Sequence, residues 1–534
     1  MASVGQLRRE GGKFGLLYAS LGAIVGSGWL FGPLHAAQTA GPLSLFSWLI
    51  GALAILLLAL VYAELGPLIP RSGAIVHISH LGNGSLLGWI WGWILFFSYV
   101  TIAPVEVTAV LTYANNYLPG FLEPGNQGLL SGRGFLAAVL LLGVFVAFNF
   151  LVIRWVLRIN SVATWWKLLI PAATVFVLLS LSWHPENLRL VPSHGALEGM
   201  FAAVATSGII FSFFGFRQAI DLAGESKDPG RSLPIAVIGA VLISALLYEA
   251  LQFAFLVSVN PADLSHGGWA GVDFPGLTGP FAALALAVGA GWWSTVLYID
   301  ALVSPAGTGF IYVTSAARVS MAAGEMGVFP RFFTSINRFG VPWRALLLVY
   351  FVGILFFFPF PSWQKLVGYI SSVTVLSYAL GPIVLLQLRR AMPQTARPFR
   401  LWAAPVLAPL AFIVSNWIIF WAGLETLSFT FTALALLLGL YLLRRLFIPS
   451  EQRKPLGLRH MWWVFPYFGL LWLCSYLGPK ALGGLGYISF FTDMGIVALL
   501  SLTVLRAAMA FAVPDREILR YMAEINEGKA AVGP

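Results

Sequence analysis

GAIVGSGWLFGP, residues 22–33, lies in the middle of an apolar segment that runs from about Phe14 to Gln38. The segment is long enough to cross a bilayer, for which about 20 apolar residues suffice. The quoted stretch nevertheless carries four glycines, Gly22, Gly26, Gly28 and Gly32. Each glycine costs a helix about 1 kcal/mol relative to alanine, and protein or a water-filled cavity must satisfy the backbone of a helix broken in lipid. Two interpretations follow: a polar ligand bound by bare main chain, or close helix packing between small residues.

The composition is that of a polytopic membrane protein. Of the 534 residues, 59% are hydrophobic and 10% are charged, against about 25% charged residues in a soluble domain. A net charge of +10 would suggest nucleic acid as a partner of a soluble chain, but here it follows from basic loops on one side of a membrane. We therefore expect no nucleic-acid partner. Arg8, Arg9 and Lys13 lead directly into a segment too long for a cleaved signal peptide, which predicts a retained first span.

Residues typical of enzymatic or metal chemistry are scarce. The single cysteine, Cys474, cannot form an internal disulfide and is expected to be buried and inert. No CxxC motif, phosphate-binding loop or metal-type histidine spacing occurs in the sequence. We therefore expect no cofactor, no metal and no catalytic residues. His77 and His80 are expected to be solvated near the cytoplasmic face.

Fourteen apolar runs of helical length follow one another, separated by short polar loops. Lipid admits only helices and closed barrels, so even the runs rich in β-branched residues are expected to be helical. The predicted fold class is an all-α polytopic membrane protein. The expected spans are 14–38, 43–67, 85–113, 134–153, 160–182, 199–221, 232–258, 280–317, 344–360, 366–388, 403–422, 428–447, 461–478 and 487–511.

Lysine and arginine residues predict the orientation, because they concentrate in cytoplasmic loops. If the N-terminus is cytoplasmic, the opposite loops carry only Arg133, Arg189, Lys365 and Lys480, and the remaining basic loops all lie inside. An even number of spans returns the C-terminus to the same side. We expect a multi-pass protein of the cytoplasmic membrane with both termini cytoplasmic. The residues after Pro514 are expected to form a short, solvated helix without a role of its own.

A second interruption lies in FSFFGFRQAIDLAGESKDPGRSLP, residues 211–234, where the helical pattern breaks near Ser212–Gly215. Arg217, Asp221 and Glu225 then follow at a spacing of four, too polar a run for lipid. The interruptions in spans one and six correspond if spans 1–5 and 6–10 are repeats, and an odd number of spans makes such repeats inverted. This pattern is typical of transporters with a midplane binding site at the repeat interface. Helix ends that meet there would offer N–H groups to the carboxylate of an amino acid and carbonyls to its ammonium.

Four motifs, in the right order, resemble those of the amino acid–polyamine–organocation transporter superfamily. They are the first-helix motif at 22–33, YAELGPLIPRSG at 62–73, GFRQAIDLAGESKDPGRSLP at 215–234, and AARVSMAAGEMGVFPRFF at 316–333 followed by GVP at 340–342. Together they extend over the first ten spans. The Phe-Arg-Gln run after the second interruption and IDALVSPAGTG at 299–309 look most like the aspartate–proton symporter branch. The loop after span two departs from the family pattern, with Gly73-Ala74 and His77 where paired glycines and a tyrosine are usual.

The resemblance implies a leucine-transporter-type fold, that is, a five-plus-five inverted repeat with discontinuous helices 1 and 6, plus about four additional C-terminal helices. The chain then divides into an N-terminal tail (1–12), repeat one (13–182), repeat two (199–391), additional helices (403–511) and a C-terminal tail (512–534). The resemblance also implies that main chain at the two interruptions holds the α-carboxylate and α-amino groups of the substrate. The expected substrate-binding residues are Ile24, Val25, Gly26, Ser27, Gly28, Phe211, Ser212, Phe214, Gly215 and Arg217. The phenylalanines Phe211, Phe214 and Phe216 are candidate gates, with simple packing as the alternative.

Ionisable residues inside the spans are functional candidates, because a charge at mid-membrane costs about 2.5–3.5 kcal/mol on insertion scales. Lys167 matches, by its motif context, a fifth-helix lysine of proton-coupled relatives, whose ammonium replaces a sodium ion between helices one and eight. Carbonyls near Ile24 and hydroxyls such as Ser304 are its expected partners, and snorkelling to an interface is the alternative. Asp300, at the head of a polar stripe, and Glu106 are the other candidate proton carriers. Asp300 is expected to pair with Lys167 or to carry a proton itself. Glu106 is expected either to carry a proton or to lie at the membrane interface.

Three further charged residues have simpler interpretations. Arg217 is either the counter-charge of a substrate side-chain carboxylate or the partner of Asp221 at i,i+4. Glu249 in span seven and Asp493 in span fourteen are interpreted as structural.

The predicted function is secondary active transport of amino acids, driven as symport by a proton gradient. The alternatives of the same class are amino acid exchange and a permease for polyamines or organic amines. The alternatives from other classes are a polytopic membrane enzyme, which would need carboxylates or histidines clustered at one face, and a channel, which would need rings of charge along a pore. The expected partners are an amino acid, protons and the lipid bilayer.

Overall fold

The computed structural model describes residues 12–69, 74–125, 128–150, 153–192, 195–223, 226–265, 267–274, 279–337, 341–358, 362–447 and 456–526, without the side chains of 153–162 and 444. Residues 1–11, Glu225 and the motif segments 70–73 and 338–340 lie outside these ranges. Within them the secondary-structure elements are helices. An isolated antiparallel bridge pairs Leu122 with Leu130. The fold class predicted from the sequence is confirmed.

Each predicted span coincides with one or more helices. Their bounds are α1 Lys13–Ile24, α2 Gly28–Ala40, α3 Ser44–Leu65, α4 Ala74–His80, α5 Ser85–Val100, α6 Ile102–Ala114, α7 Gly132–Phe148, α8 Ile153–Leu181, α9 Ala196–Thr206, α10 Ile209–Ser212, α11 Gln218–Asp221, α12 Pro229–Ser258, α13 Pro280–Ala287, α14 Gly291–Glu325, α15 Trp343–Leu355, α16 Trp363–Ala391, α17 Ala404–Trp421, α18 Leu424–Leu446, α19 Leu458–Met461, α20 Val464–Leu477, α21 Phe490–Ala510 and α22 Asp515–Asn526. Nine helical stretches of the described residues are long and apolar enough to cross a membrane.

Spans one and six are the interrupted ones. In span one, α1 ends at Ile24 and α2 begins at Gly28. In span six, α9 is followed by the single turns α10 and α11, separated by residues 213–217. The discontinuous helices 1 and 6 are therefore present at the places that the glycine cluster in span one and the broken helical pattern in span six indicated. The repeat boundaries at 13–182 and 199–391 remain a prediction.

Span eight is not the single helix expected over 280–317. The chain forms the separate helix α13, turns at residues 288–290, and then runs as α14 from Gly291 to Glu325. Gly289 has a φ of +86°, a conformation that glycine adopts without a steric penalty and that ends a helix.

Spans three and ten are the most enclosed of the nine long apolar stretches. In both α5–α6 and α16, 94% of the most apolar window is buried, against 17% in α18. The end of span two and the end of span ten are joined through Glu64, which accepts hydrogen bonds from Arg389 at 2.6 Å and from Arg397 at 2.7 Å. The sequence had indicated these arginines only as part of the basic side of the protein.

Two expectations about the cytoplasmic side are wrong. The C-terminal helix α22 is not a solvated end, because Ile518, Tyr521 and Met522 are buried. The imidazoles of His77 and His80 are also buried. His80 Nδ1 lies 3.1 Å from the carbonyl of Val76 within α4, so the short helix after span two faces inward and α22 packs over this part of the protein.

Candidate functional site

The two interruptions touch each other. A Cβ on Gly28 would overlap the hydroxyl of Ser212 and lie 2.9 Å from its Cα. A Cβ on Gly215 would lie 2.6 Å from the nitrogen of Ile24, and the φ of Gly215 is +127°. Only residues without a side chain allow the main chains to come this close. The structure thus brings together Ile24, Gly28, Ser212 and Gly215, as the sequence predicted.

The gap between α1 and α2 offers main-chain donors at its α2 end. Ser27 N–H donates to Glu106 Oε2 at 2.9 Å, and the N–H of Gly28, at the start of α2, has no acceptor among the described residues. The carbonyl of Ile24, on the other side of the gap, accepts from Gly26 N–H at 3.0 Å and from the Tyr248 hydroxyl at 3.2 Å. Free N–H groups at a helix N-terminus form a site for an anion.

Glu106 belongs to this gap and not to a membrane interface. Its side chain is 1% exposed, and a Cβ on Gly26 would overlap its Oε1. Oε1 is buried and has no hydrogen-bond partner in the described part of the protein. The interfacial interpretation of Glu106 is therefore wrong, and one carboxylate oxygen remains available to a proton or a ligand.

Lys167 lies between spans one and eight. It is 0% exposed, which rules out snorkelling, and its ammonium donates to the carbonyl of Gly22 and to Thr308 Oγ1, both at 2.8 Å. The predicted position is correct, and the carbonyl partner, that of Gly22, lies two residues from Ile24, as expected. The hydroxyl partner is Thr308, one helical turn beyond the expected Ser304.

Asp300 binds its own neighbours and makes no direct ion pair with Lys167 among the described residues. Its Oδ1 accepts from Trp166 Nε1 at 2.9 Å and from Ser304 Oγ at 2.6 Å, while Oδ2 has no partner there. The direct pairing expected from the sequence is therefore not formed. Thr308 brings Lys167 towards Glu106 and not towards Asp300, because its hydroxyl contacts Lys167 and would lie 3.0 Å from a Cβ on Gly26, beside Glu106.

Trp363, at the start of α16, covers one side of the interruptions. Its Nε1 donates to Ser27 Oγ at 2.8 Å, and its ring centroid lies 4.7 Å from that of Phe31 and 6.0 Å from that of Phe211. A cavity of about 130 Å³ lies beyond it, with His35 and Asp273 among its lining residues. Sequence reasoning missed Trp363, because one indole among 20 tryptophans carries no distinguishing signal.

Arg217 covers the other side, and its interpretation as the ion-pair partner of Asp221 is not supported. The buried guanidinium donates to Ser377 Oγ at 2.8 Å and lies 4.0 Å from the ring centroid of Tyr378, a cation–π geometry. Tyr99 donates a hydrogen bond to Asp221 and presents its ring to Arg217 at 5.0 Å. The tyrosine thus stands between the two charges.

The three candidate gate phenylalanines are all buried. The rings of Phe211 and Phe214 lie 6.2 Å apart, with Phe211 against Trp363 and Phe214 5.8 Å from Tyr378. Phe216 packs 5.0 Å from Tyr378. Phe211 and Phe214 therefore contact both covering layers, whereas Phe216 contacts only the side of Arg217.

A helical membrane protein whose first and sixth spans are interrupted and meet at the interruptions belongs to the class of secondary transporters with discontinuous helices. The chain is a member of the amino acid permease family, whose sequence model matches residues 12–473. Members of this family are transporters, so the membrane-enzyme alternative is set aside.

Two similar proteins align along nearly the whole chain, and a third along most of it. The glutamate/serine transporter AimA of Bacillus subtilis is 36% identical over 98% of this chain and 97% of its own length. The aspartate-proton symporter of the same organism is 31% identical over 97% of this chain and 99% of its own. The branched-chain amino acid permease BcaP, also from Bacillus subtilis, is 26% identical over 79% of this chain.

Proposed function

We propose that this protein is a proton-coupled amino acid symporter of the cytoplasmic membrane, with both termini cytoplasmic. The observation that carries the proposal is the buried ammonium of Lys167, held by the carbonyl of Gly22 and by Thr308. It joins the first half of the broken helix to span eight. A cation fixed there opposes a sodium ion in the same space by charge repulsion, which is strong where water is excluded.

Loss of a proton from Lys167 would weaken this joint. A neutral amine binds carbonyl and hydroxyl oxygens less strongly than an ammonium, because charge-assisted hydrogen bonds are roughly twice as strong as neutral ones. The end of α1 would then separate more easily from α14. Proton release would in this way be coupled to movement of the half-helix next to the substrate.

Glu106 provides a link between the proton and the substrate. Its carboxylate holds the Ser27 N–H, one of the donors expected to bind the α-carboxylate of the amino acid. The substrate and ionised Glu106 therefore compete for the same group, and protonation of Glu106 favours the substrate. Asp300, with one oxygen free of partners, is the third candidate carrier.

We place the amino acid between Ile24–Gly28 and Phe211–Gly215, and we propose acidic or small polar amino acids as substrates. The two relatives that align over nearly the full chain are named for glutamate and serine and for aspartate. The buried guanidinium of Arg217 makes hydrogen bonds to hydroxyl groups and stacks on tyrosine rings, and it contacts no carboxylate directly among the described residues. Lys167 and Arg217 both disfavour a polyamine or another organic cation.

Uptake into proteoliposomes tests this function, with L-glutamate, L-aspartate and L-serine as probes. Accumulation should rise with an inward proton gradient and should not depend on sodium. Lys167→Ala should lose proton-driven accumulation, and Lys167→Arg should also fail because arginine keeps its proton. Lys480→Ala, which removes an exposed lysine from a loop, is the matched control and should transport normally.

Two results would contradict the proposal. One is sodium-dependent uptake by the unmodified protein, and the other is normal proton-driven accumulation by a monodisperse Lys167→Ala protein. Empty liposomes also separate symport from exchange, since an obligate exchanger accumulates substrate only when a counter-substrate is inside.

A further inference from the structure

The helices α20 and α21 hold a buried carboxylate that the proposed transport site does not use. Asp493 lies in the first turn of α21 and is 0% exposed. Neither of its carboxylate oxygens has a hydrogen-bond partner among the described residues. A carboxylate taken out of water costs several kcal/mol unless a cation or donors compensate it, so this site lacks a component.

Other oxygen atoms converge on the same place. A Cβ on Gly478 would overlap Asp493 Oδ2 and would lie 2.9 Å from the carbonyl oxygen of Cys474 and 3.4 Å from that of Ser475. The hydroxyl of Ser475 is also buried and has no partner in the described part of the chain. Residue 479 is a proline, so the N–H that would normally bond the Ser475 carbonyl is missing.

The charges around this group do not balance it. The carbonyls belong to the C-terminal end of α20, the negative end of the helix dipole. The first turn of α21 offers only the partial positive charge of a helix N-terminus. Lys480, in the loop between the two helices, is exposed, and its side chain runs along Gly486, with Cε 3.1 Å from the position of a Cβ there.

We propose that Asp493, Ser475 and the main-chain carbonyls of Cys474 and Ser475 bind a monovalent cation of the sodium class. All of these ligands are oxygens, and helix C-terminal carbonyls coordinate sodium ions in transporters. One carboxylate balances one positive charge, whereas calcium sites usually combine several carboxylates. A proton would supply one donor, and the remaining acceptor oxygens would stay unsatisfied.

The bound cation joins the end of α20 to the start of α21. The loop between them already folds back on α20, because Leu485 N–H donates to the Tyr476 carbonyl at 2.8 Å and Gly486 N–H to that of Gly478 at 2.7 Å. The ion completes this loop and stabilises the C-terminal helix pair. The site lies outside spans one to ten and does not supply the driving ion.

Sodium binding to the purified full-length protein tests this inference. Thermal unfolding is followed while sodium chloride replaces choline chloride at constant ionic strength and pH, and binding of ²²Na⁺ is measured in parallel. The unfolding temperature should rise with sodium in a saturable way, because a ligand of the folded state stabilises it. Asp493→Asn should remove both responses, and Gly478→Ala should do the same by filling the site with a methyl group.

The controls separate this site from the transport site. Glu249→Gln, which neutralises a half-buried carboxyl on α12, and Lys167→Ala should both keep the sodium response. If Asp493→Asn does not fold, Ser475→Ala should still weaken ²²Na⁺ binding. The inference is overturned if the unmodified protein shows no saturable sodium response, if Asp493→Asn keeps it, or if stability follows pH through Asp493 and ignores sodium.

Discussion

Single glycines determine how closely the two interrupted spans approach. A Cβ at position 28 meets main-chain and side-chain atoms of Ser212, and a Cβ at position 215 meets the main chain of Ile24. Neither neighbour is the flexible end of a long side chain that could move away. The contact between the two interrupted spans therefore depends on residues that contribute no side-chain chemistry and act through the space they leave.

Gly28→Ala should reduce substrate binding and stability together. The added methyl must push α2 away from Ser212, and overpacking of this kind costs about 1–3 kcal/mol. We expect a lower unfolding temperature and a smaller thermal shift with L-glutamate, L-aspartate or L-serine. Gly15→Ala in α1 is the matched control, because no atom lies within 4 Å of its Cβ position. An unchanged thermal shift in Gly28→Ala would remove this stretch from the site.

At the residue scale the sequence predicted where Lys167 lies but not every contact that it makes. Lys167 could be placed between spans one and eight through its motif, and its carbonyl partner, Gly22, lies near Ile24 as expected. Its hydroxyl partner is Thr308 instead of Ser304, because the register between a broken helix and its neighbour is not predictable from periodicity. Trp363 could not be found, because its role depends on where α16 begins relative to Ser27, a contact between spans one and ten.

At the scale of elements, the start of α16 closes one side of the site. Trp363 contacts Ser27 and Phe31 of span one and Phe211 of span six. A single side chain of span ten thus bridges both interrupted spans. A cavity of about 130 Å³ lies beyond Trp363. We propose that a substrate enters this cavity before the contact between Trp363 and the interrupted spans opens.

Trp363→Phe should loosen this closure without removing it. The ring contacts remain, but the hydrogen bond to Ser27 is lost, at a net cost of about 1 kcal/mol or roughly a fivefold change in opening. The rate at which an impermeant thiol reagent labels Ser212→Cys, in a Cys474→Ser background, measures the opening. Trp363→Ala should accelerate labelling further. Trp292→Phe, on an exposed face of α14, should leave the rate unchanged, and equal rates in all variants would contradict a closing role for Trp363.

The elements that the sequence did not predict are those that depend on tertiary contacts. The division of span eight follows from the backbone conformation of Gly289. The residues before and after it in the sequence are apolar, so the sequence predicted one continuous helix. The packing of α22 depends on buried positions at spacings of three and four, Ile518, Tyr521, Met522 and Ile525. In a short, highly charged segment, apolar residues at these four positions are too few to predict that the helix packs against the rest of the protein.

At the scale of the whole molecule, the all-helical membrane fold and the family were predictable because both depend on long, ordered patterns. The count of fourteen spans remains a prediction. The orientation depends on the distribution of basic residues and remains a prediction. The structure adds that some of these residues have structural partners. Arg389 and Arg397 both bind Glu64, so they join the ends of spans two and ten in addition to contributing to the basic side of the protein.

Cysteine labelling in whole cells tests the orientation. Lys365 and Arg400 are both exposed, whereas Arg397 is engaged by Glu64 and is unsuited to substitution. In a Cys474→Ser background, Lys365→Cys should react with an impermeant reagent in intact cells, and Arg400→Cys only after permeabilisation. The reverse pattern would show that the termini are outside.

The central claim is that proton movement accompanies amino acid movement through this protein. The most direct measurement is the internal pH of sodium-free proteoliposomes, reported by a trapped dye, when L-glutamate, L-aspartate or L-serine is added outside. We predict acidification of the interior that requires the amino acid, saturates with its concentration, and is absent in Lys167→Ala. Amino acid uptake without internal acidification, or acidification only when sodium is present, would contradict the account.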